Sequence, residues 1–184
     1  MSEILGSASK TNKPRKNNFF ETPPWATRAL LSVEVPPRPV WEPFAGKGAI
    51  TQVLRWSRIG TVESDLDPKT RSCEKLDFML ADRARAGAII SNPPFDIATE
   101  IVQHAWDIKV HYLALYLKGD FMNARKRVRL AAKVGHPTRI WALAKRPDFR
   151  NQGGPPMNCS WYVWDWGQAG IVTSSIFRAI EVEL

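Results

Sequence analysis

Asn92, Pro93, Pro94 and Phe95 form the segment of this 184-residue chain that is best suited to chemistry. The apolar residues and serine of 88–91 predict a short buried strand before them. The two prolines end that strand because proline cannot donate a hydrogen bond to a sheet. Asn92 and Phe95 are therefore expected at the carboxyl end of the strand, the edge at which open α/β sheets bind ligands.

This segment could activate an exocyclic amine such as that of adenine. The amine is a poor nucleophile because its lone pair is shared with the ring, and two acceptors aimed at its N–H bonds would draw that pair out. The side-chain oxygen of Asn92 and the backbone carbonyl of Pro93 are two such acceptors. The flat ring of Phe95 offers a surface on which a base could stack. The segment is equally consistent with a proline-terminated strand followed by a helix that Asp96 caps.

A short strand, a glycine turn and a helix are predicted from Val40 onwards. Gly46 and Gly48 let the backbone pass close to a ligand, and the helix N-terminus offers free N–H groups. The turn lacks the third glycine of the dinucleotide-binding fingerprint. The carboxyl group of Glu42 at the strand end disfavours a pyrophosphate and favours a cationic ligand, such as a sulfonium or ammonium group.

The next two predicted strands are also followed by carboxylates. Asp65 is the first choice for accepting hydrogen bonds from ribose hydroxyls, and Glu63 is the second. A solvated turn acid is the alternative for both. Asp77 could accept a hydrogen bond from an adenine amine while Phe78 packs on the ring.

Composition and charge indicate one globular domain with a polyanionic partner. Hydrophobic residues make up 44% of the chain, and 26 Lys and Arg against 18 Asp and Glu leave a net charge of +8, which favours nucleic acid. Cys73 and Cys159 form no CxxC pair, so we expect free thiols, a reducing cytoplasm and no structural metal. No membrane-spanning run or signal peptide is predicted. Residues 1–18 are expected to be a flexible basic tail that contacts phosphates or only aids solubility, and 19–184 a single domain.

Two basic segments could bind nucleic acid. Arg125, Arg129 and Lys133 recur at helical spacing on one face, which could follow a phosphate backbone or simply be solvated. The long loop 145–158 combines basic residues with an aromatic ring, a composition suited to gripping a single strand or a flipped base. The residues of that loop singled out for binding are Arg146, Phe149 and Arg150.

Three motifs occur in order, at Phe20-Glu21-Thr22-Pro23, at 42–48 and at 92–95. With these motifs the chain resembles S-adenosylmethionine-dependent amino-methyltransferases. It is most similar to the small adenine-N6 DNA methyltransferases of phages and prophages, whose pattern is FxTP, a strand–FxGxG loop and (D/N)PP(Y/F). The resemblance covers roughly 19–166. It implies a Rossmann-like class I α/β fold, with helices on both faces of a seven-stranded mixed sheet whose last strand is antiparallel. A short edge strand over 176–184 could follow.

The resemblance also implies a role for individual residues, with S-adenosylmethionine as the cofactor. The residues that would border its methionine end are Phe20, Thr22 and Pro23. The residues that would form its main wall are Glu42, Phe44, Ala45, Gly46 and Gly48. Its ribose and adenine would be held by Asp65, Asp77 and Phe78. The target base would be taken by Asn92, Pro93, Pro94 and Phe95, of which Asn92 would also face the cofactor.

We therefore expect methyl transfer to adenine N6 in DNA, with the base rotated out of its stack. Larger relatives carry a target-recognition domain, and no segment here is long enough to be one. Sequence recognition is therefore expected to be slight, or to come from 118–133 and 145–158 or from a partner, and low specificity is favoured. A monomer or weak dimer is expected. The same activating motif occurs in methyltransferases for RNA bases and for protein glutamine amides, which are alternative acceptors. A non-catalytic nucleic-acid-binding subunit is a third hypothesis.

Overall fold

The computed structural model describes residues 20–147 and 157–180. The helices of this part of the chain are α1 (Pro24–Val33), α2 (Ala49–Trp56), α3 (Ala98–Asp107) and α4 (Arg125–Val134). The strands are β1 (Val40–Glu42), β2 (Thr61–Asp65), β3 (Glu74–Lys75), β4 (Ala88–Ser91), β5 (Tyr112–Lys118), β6 (Arg139–Leu143), β7 (Cys159–Asp165) and β8 (Ile176–Ile180). Short 3₁₀ helices span Phe78–Leu80, Phe95–Ile97 and Phe121–Asn123.

The strands form one mixed sheet in the order β3-β2-β1-β4-β5-β7-β6-β8. The strands from β3 to β5 are parallel, and β7 is antiparallel to both of its neighbours. The predicted mixed α/β sheet is confirmed, but the count of seven strands is wrong, since the described residues form eight. The last strand is β8, which is parallel to β6. It covers the edge of β6, whose backbone groups would otherwise lack sheet partners.

Helices cover both faces of the sheet, because strand residues point alternately to either side. On one face, α1 and α2 pack Leu30 and Leu54 against a cluster that includes Ile90 of β4. On the other face, α3 and α4 pack Val102 and Leu130 against a cluster that includes the neighbouring Ile89. Strand β4 is thus buried on both sides. No helix among the described residues is long and apolar enough to cross a membrane.

Neither Asp96, predicted above to cap α3, nor Thr22, which the sequence predicts to cap a helix that begins with two prolines, is an N-cap. Pro23, with extended dihedrals, is the N-cap of α1, and its side chain makes no capping hydrogen bond. A residue before proline is held out of the helical region, so Pro23 must be extended before Pro24, and Thr22 lies one residue too early. Asp96 lies inside the 3₁₀ helix that follows the prolines, so α3 starts later and its N-cap is Ile97.

A buried polar network ties α1 to the middle of the sheet. The carboxylate of Glu34, 7% exposed, accepts hydrogen bonds from Arg139 (Nη2–Oε2 3.0 Å), from Trp141 (Nε1–Oε1 2.7 Å) and from the Tyr112 hydroxyl (3.1 Å). Arg139 also pairs with Asp165, with an Nη2–Oδ2 distance of 2.9 Å. The network fixes the start of the linker after α1 and hence the entry into β1.

We expect Glu34→Ala to destabilise the fold by about 3 kcal/mol, because it leaves buried donors of Arg139, Trp141 and Tyr112 without their acceptor. Urea unfolding followed by tryptophan fluorescence measures this loss. The matched control is Glu74→Ala, which breaks an exposed ion pair with Arg85 and should cost less than about 1 kcal/mol. Equal losses in the two variants would contradict the importance of the network.

Candidate active site

The motif segments come together at the carboxyl edge of the central parallel strands. Strand β1 lies between β2 and β4, so their ends place Glu42, Asp65 and Ser91 along one side of the sheet. Asn92 and its two prolines follow Ser91 directly. The parallel topology therefore brings together residues that lie far apart in the sequence.

Glu42 is the most perturbed acid at this edge. Its side chain is buried, with 1% of the residue exposed. Oε1 accepts hydrogen bonds from the Ser91 hydroxyl and from the backbone N–H of Phe44, the latter at 3.2 Å, whereas Oε2 has no partner among the described residues. Burial raises the pKa of Glu42 to about 8, with smaller contributions from Asp65 and Glu63 that also raise it. A cationic or hydrogen-bond-donating ligand would satisfy the free oxygen.

The glycine turn after β1 holds the backbone close to the cleft. Gly46 and Gly48 have φ of 52° and 85°, in the left-handed region that glycine adopts without strain. Gly48 is the N-cap of α2. The N–H of Gly46 donates to Asp65 Oδ2 at 2.8 Å, which ties the turn to the end of β2. The predicted strand, turn and helix are all present.

Asp65 stays the better candidate for a ribose contact. Its Oδ1 accepts from the N–H of Asp67 at 2.8 Å and its Oδ2 from Gly46, so each oxygen keeps a lone pair for a further donor. Glu63 is buried and pairs with Arg55, with an Nη2–Oε1 distance of 2.6 Å. Its carboxylate also accepts from Ser72, which leaves it poorly placed for a ligand.

Asp77 and Phe78 lie beside the end of β3, next to β2. Asp77 Oδ1 accepts from the N–H of Met79 at 2.9 Å and caps the short 3₁₀ helix. The Phe78 ring is 1% exposed and packs against Trp41 and Phe44, with centroid distances of 5.3 Å to each. Phe78 therefore packs against Phe44 in this structure. Its contact with an adenine ring stays a prediction.

Asn92 has a defined orientation. Its Nδ2 donates to the backbone carbonyl of Phe20 at 2.7 Å. A carbonyl can only accept, so this bond places the amide nitrogen toward Phe20 and leaves Oδ1 as the free acceptor. No described residue donates to that oxygen. The FxTP segment therefore orients the amide of the NPPF segment.

Several of these groups line one cleft, which is open to solvent. Of the residues predicted to bind the cofactor, those that line it are Phe20, Thr22, Glu42, Phe44, Ala45 and Asn92. The predicted residues that do not line it are Pro23, Gly46, Gly48, Asp65, Asp77 and Phe78. Glu21, Ala49 and Ile50 also line the cleft and were not predicted. The apolar face of α2 would have indicated Ile50.

The other residues of the 92–95 segment differ in burial. Pro93 is buried, Pro94 is exposed, and Phe95 is half-buried. The Phe95 ring packs against the hydrophobic clusters of both sheet faces and lines a second cavity together with Phe121 and Arg127. Phe95 therefore lies where the two faces meet.

The predicted basic residues have mixed surroundings. Arg125, Arg129 and Arg146 are exposed, as a phosphate-binding role requires. Lys133 is exposed but its Nζ lies 3.6 Å from Asp107 Oδ1. Phe149 and Arg150 lie outside the described residues. Within the described part no group of three His, Cys, Asp or Glu side chains is placed to hold a metal.

The cleft fits a small cationic ligand. Glu42 supplies an unpartnered buried carboxyl oxygen, and Asp65 supplies carboxylate lone pairs one strand away. The Glu42 oxygen could accept a cation and the Asp65 carboxylate could accept hydroxyl groups. S-adenosylmethionine carries a cationic group on its methionine part and hydroxyl groups on its ribose.

Compared by sequence, the chain matches no protein-family model and no curated protein. Its structure is similar to solved methyltransferases. A protein described as the modification subunit of a type I restriction enzyme from Vibrio vulnificus has a TM-score of 0.64 at 12% identity, over 90% of this chain and 47% of that one. A predicted O-methyltransferase from Agrobacterium tumefaciens has a TM-score of 0.50 at 14% identity, over 88% and 87% of the two chains.

A third structure, described as a class I S-adenosylmethionine-dependent methyltransferase from Listeria monocytogenes, has a TM-score of 0.51 at 11% identity, over 85% of this chain and 62% of that one. The chain thus spans less than two thirds of this protein and of the modification subunit. These similarities show the fold: the chain has the methyltransferase-like α/β fold that its motifs predict.

The raised pKa of Glu42 predicts a pH-dependent stability. Between pH 6 and pH 8 the carboxyl is protonated in the folded protein, with a pKa of about 8, and ionised in the unfolded chain, with a pKa of 4.5. The folded state binds the extra proton, so the free energy of unfolding falls as pH rises, by roughly 2 kcal/mol over this range. Urea unfolding at both pH values should show this fall in the wild type and not in Glu42→Gln. Parallel pH dependence in the two proteins would contradict the assignment.

Proposed function

We propose that this protein transfers the methyl group of S-adenosylmethionine to the exocyclic N6 amine of adenine in DNA. The observation that carries the proposal is the orientation of Asn92: its amide nitrogen donates to the Phe20 carbonyl, and its oxygen accepts no hydrogen bond from a described residue. Asn92 lines the same cleft as Glu42. One cleft thus has an acceptor for an amine and a partner for a cation among its lining residues.

Glu42, Phe44 and Ala45 would hold the cofactor, and Asn92 would face it; the cofactor supplies an electrophilic methyl group on a sulfonium when bound. Glu42 would lose its proton when the cofactor binds, and the resulting carboxylate would pair with the positive charge of the methionine part. The unsatisfied Oε2 supports this, because a buried carboxylate needs a compensating charge or donor. Asp65 would accept from the ribose hydroxyls.

The acceptor amine would be activated by Asn92 and Pro93. Asn92 Oδ1 accepts one N–H of the amine and the Pro93 carbonyl accepts the other, which draws the nitrogen lone pair out of the ring. The activated nitrogen would then accept the methyl group that the bound sulfonium supplies, the carbon–sulfur bond would break to leave a thioether, and the methylated amine would release one proton to solvent. No residue has to change protonation state in this step, since both acceptors are neutral carbonyl oxygens.

The half-buried ring of Phe95 would stack on the target base. A base inside a duplex cannot reach a cleft at the edge of a sheet, so the adenine must be rotated out of its stack. The net charge of +8 and the exposed Arg125, Arg129 and Arg146 support a nucleic-acid substrate, because phosphate contacts supply most of the non-specific affinity. Low sequence specificity is part of the proposal.

The acceptor is tested by incubating the protein with labelled S-adenosylmethionine and four substrates: duplex DNA, single-stranded DNA, RNA and a mixed protein extract. Nucleoside digestion and mass spectrometry identify the product. We expect N6-methyldeoxyadenosine in many sequence contexts. Label only in RNA adenine or in protein glutamine would overturn the substrate and keep the chemistry. Cofactor binding without label in any sample would favour the non-catalytic nucleic-acid-binding subunit.

Asn92→Ala should lower turnover by a factor on the order of 100 or more, as loss of one preorganised polar group at a reaction centre does. Binding of S-adenosylmethionine, measured by calorimetry, should change little. Asn92→Asp keeps an acceptor oxygen and should retain measurable turnover.

The matched control for Asn92 is Asn123→Ala, which makes the same change at an exposed position outside the cleft. Its turnover should stay within about twofold of wild type, since surface substitutions rarely perturb the structure. Near-wild-type activity in Asn92→Ala would refute the mechanism.

A further inference from the structure

A second cavity, open to solvent, lies at the carboxyl end of β5. It is located between the end of that strand and the start of α4. Its lining residues are Phe95, Leu117, Lys118, Asp120, Phe121, Ala124 and Arg127. The proposed mechanism leaves this cavity without a role, apart from the Phe95 ring.

Arg127 is a buried cation in the wall of this cavity. It is 7% exposed, and its Nε donates to the carbonyl of Phe121 at 3.1 Å while Nη1 donates to the hydroxyl of Thr99. The guanidinium carbon lies 4.1 Å from the centre of the Phe121 ring. All of these partners are neutral.

No carboxylate of the described residues lies within ion-pair distance of Arg127. Glu100 attracts the guanidinium only from farther away, and burial lowers the pKa of Arg127 below its ordinary value. A buried guanidinium is normally paired with an anion. Arg127 therefore has no anionic partner among the described residues, and an anionic ligand could supply one.

Lys118 adds a second cation at the mouth. Its side chain is exposed, and Nζ lies 5.8 Å from the centre of the Phe95 ring. Asp120 is the one carboxylate in the lining, and it forms no ion pair with either cation in the structure. Two cations against one carboxylate leave the lining of the cavity with a net positive charge.

We propose that this cavity binds a phosphodiester group of the DNA next to the flipped adenine, with Arg127 and Lys118 as its ligands. The inference rests on the proposed function. A compact anion suits two cations in a partly buried site, and guanidinium–phosphate hydrogen bonds are strong because both partners are charged.

The position of the cavity indicates which phosphate of the DNA would be bound. Phe95, which would stack on the target base, is itself part of the cavity wall. The linkages on the two sides of the target nucleotide are the phosphates nearest to that base. Binding one of them would hold the extruded nucleotide without reading its sequence, in agreement with low specificity.

The test is a double-mutant cycle in which one change is a protein substitution and the other replaces a charged phosphate of the DNA by a neutral linkage, and the binding affinity is compared. Wild type and Lys118→Ala are titrated with a fluorescent DNA oligonucleotide that the wild type methylates, and with copies in which the linkage 5′ or 3′ of the target adenine is an uncharged methylphosphonate. The control is Lys109→Ala. Lys109 is also exposed and lies over an aromatic ring, that of Trp106 at 5.8 Å, but before β5, at the opposite edge of the sheet.

We expect one of the two neutral linkages to weaken wild-type binding by roughly tenfold, as loss of a charge-assisted hydrogen bond does. Lys118→Ala should lose clearly less affinity from that neutral linkage than the wild type does, because only Arg127 remains to sense the charge, and should lower the slope of log affinity against log salt by about 1. Lys109→Ala should respond to the neutral linkage like the wild type. Arg127→Gln should show the same coupling as Lys118→Ala, provided that its urea unfolding curve shows a folded protein.

The inference is overturned if the wild type methylates DNA and the effects of the neutral linkage and of Lys118→Ala simply add at both positions. That result would assign Arg127 a structural role between α3 and α4. A wild-type protein that neither binds nor methylates any nucleic acid would instead overturn the proposed function, and the cavity inference with it.

Discussion

The buried carboxyl group of Glu42 is the feature on which the edge of the sheet depends. It accepts hydrogen bonds from the Ser91 hydroxyl at the end of β4 and from the N–H of Phe44 at the start of the glycine turn. One side chain therefore joins two strands to the loop between β1 and α2. The remaining oxygen is left without a partner in a site that burial keeps at low dielectric, so the group is held protonated near neutral pH. Glu42 therefore both connects the two strands to the loop and provides an electrostatic site for a cation.

The orientation of Asn92 depends on the segment before α1. The Phe20 carbonyl in that segment accepts a hydrogen bond from the Asn92 amide, 72 residues away in the sequence, and so fixes the direction of that amide. Because Thr22 and Pro23 both precede prolines, they are held extended, and the chain is led across the cleft before α1 begins. The buried network around Glu34 anchors the other end of that helix to β6. The orientation of one amide thus depends on how a whole helix is attached to the sheet.

Local signals were enough to predict β4, the glycine turn and most strand positions, because prolines, glycines and apolar runs act over a few residues. The sequence also indicated which residues line the first cleft, through the resemblance of three motifs. What it could not show were contacts between distant segments, such as Phe20 with Asn92 or Glu34 with Arg139, 105 residues apart. Arg127 was missed although a signal existed: it falls on the same helical face as Leu130 and Val134, where a charged residue is out of place.

The solved structures that share this fold include a predicted O-methyltransferase and a modification subunit of a restriction enzyme, so the fold alone does not determine the acceptor. In this chain, the loops at the carboxyl ends of β4 and β5 carry Phe95 and part of the lining of the second cavity. Phe95 packs against the hydrophobic clusters of both sheet faces and lines the cavity that contains Arg127. A base stacked on that ring would lie between a cleft suited to a cation and a cavity suited to an anion. A nucleotide is such an acceptor, since its reactive amine and its phosphate lie at opposite ends, whereas a protein glutamine carries no anion that could occupy the second cavity.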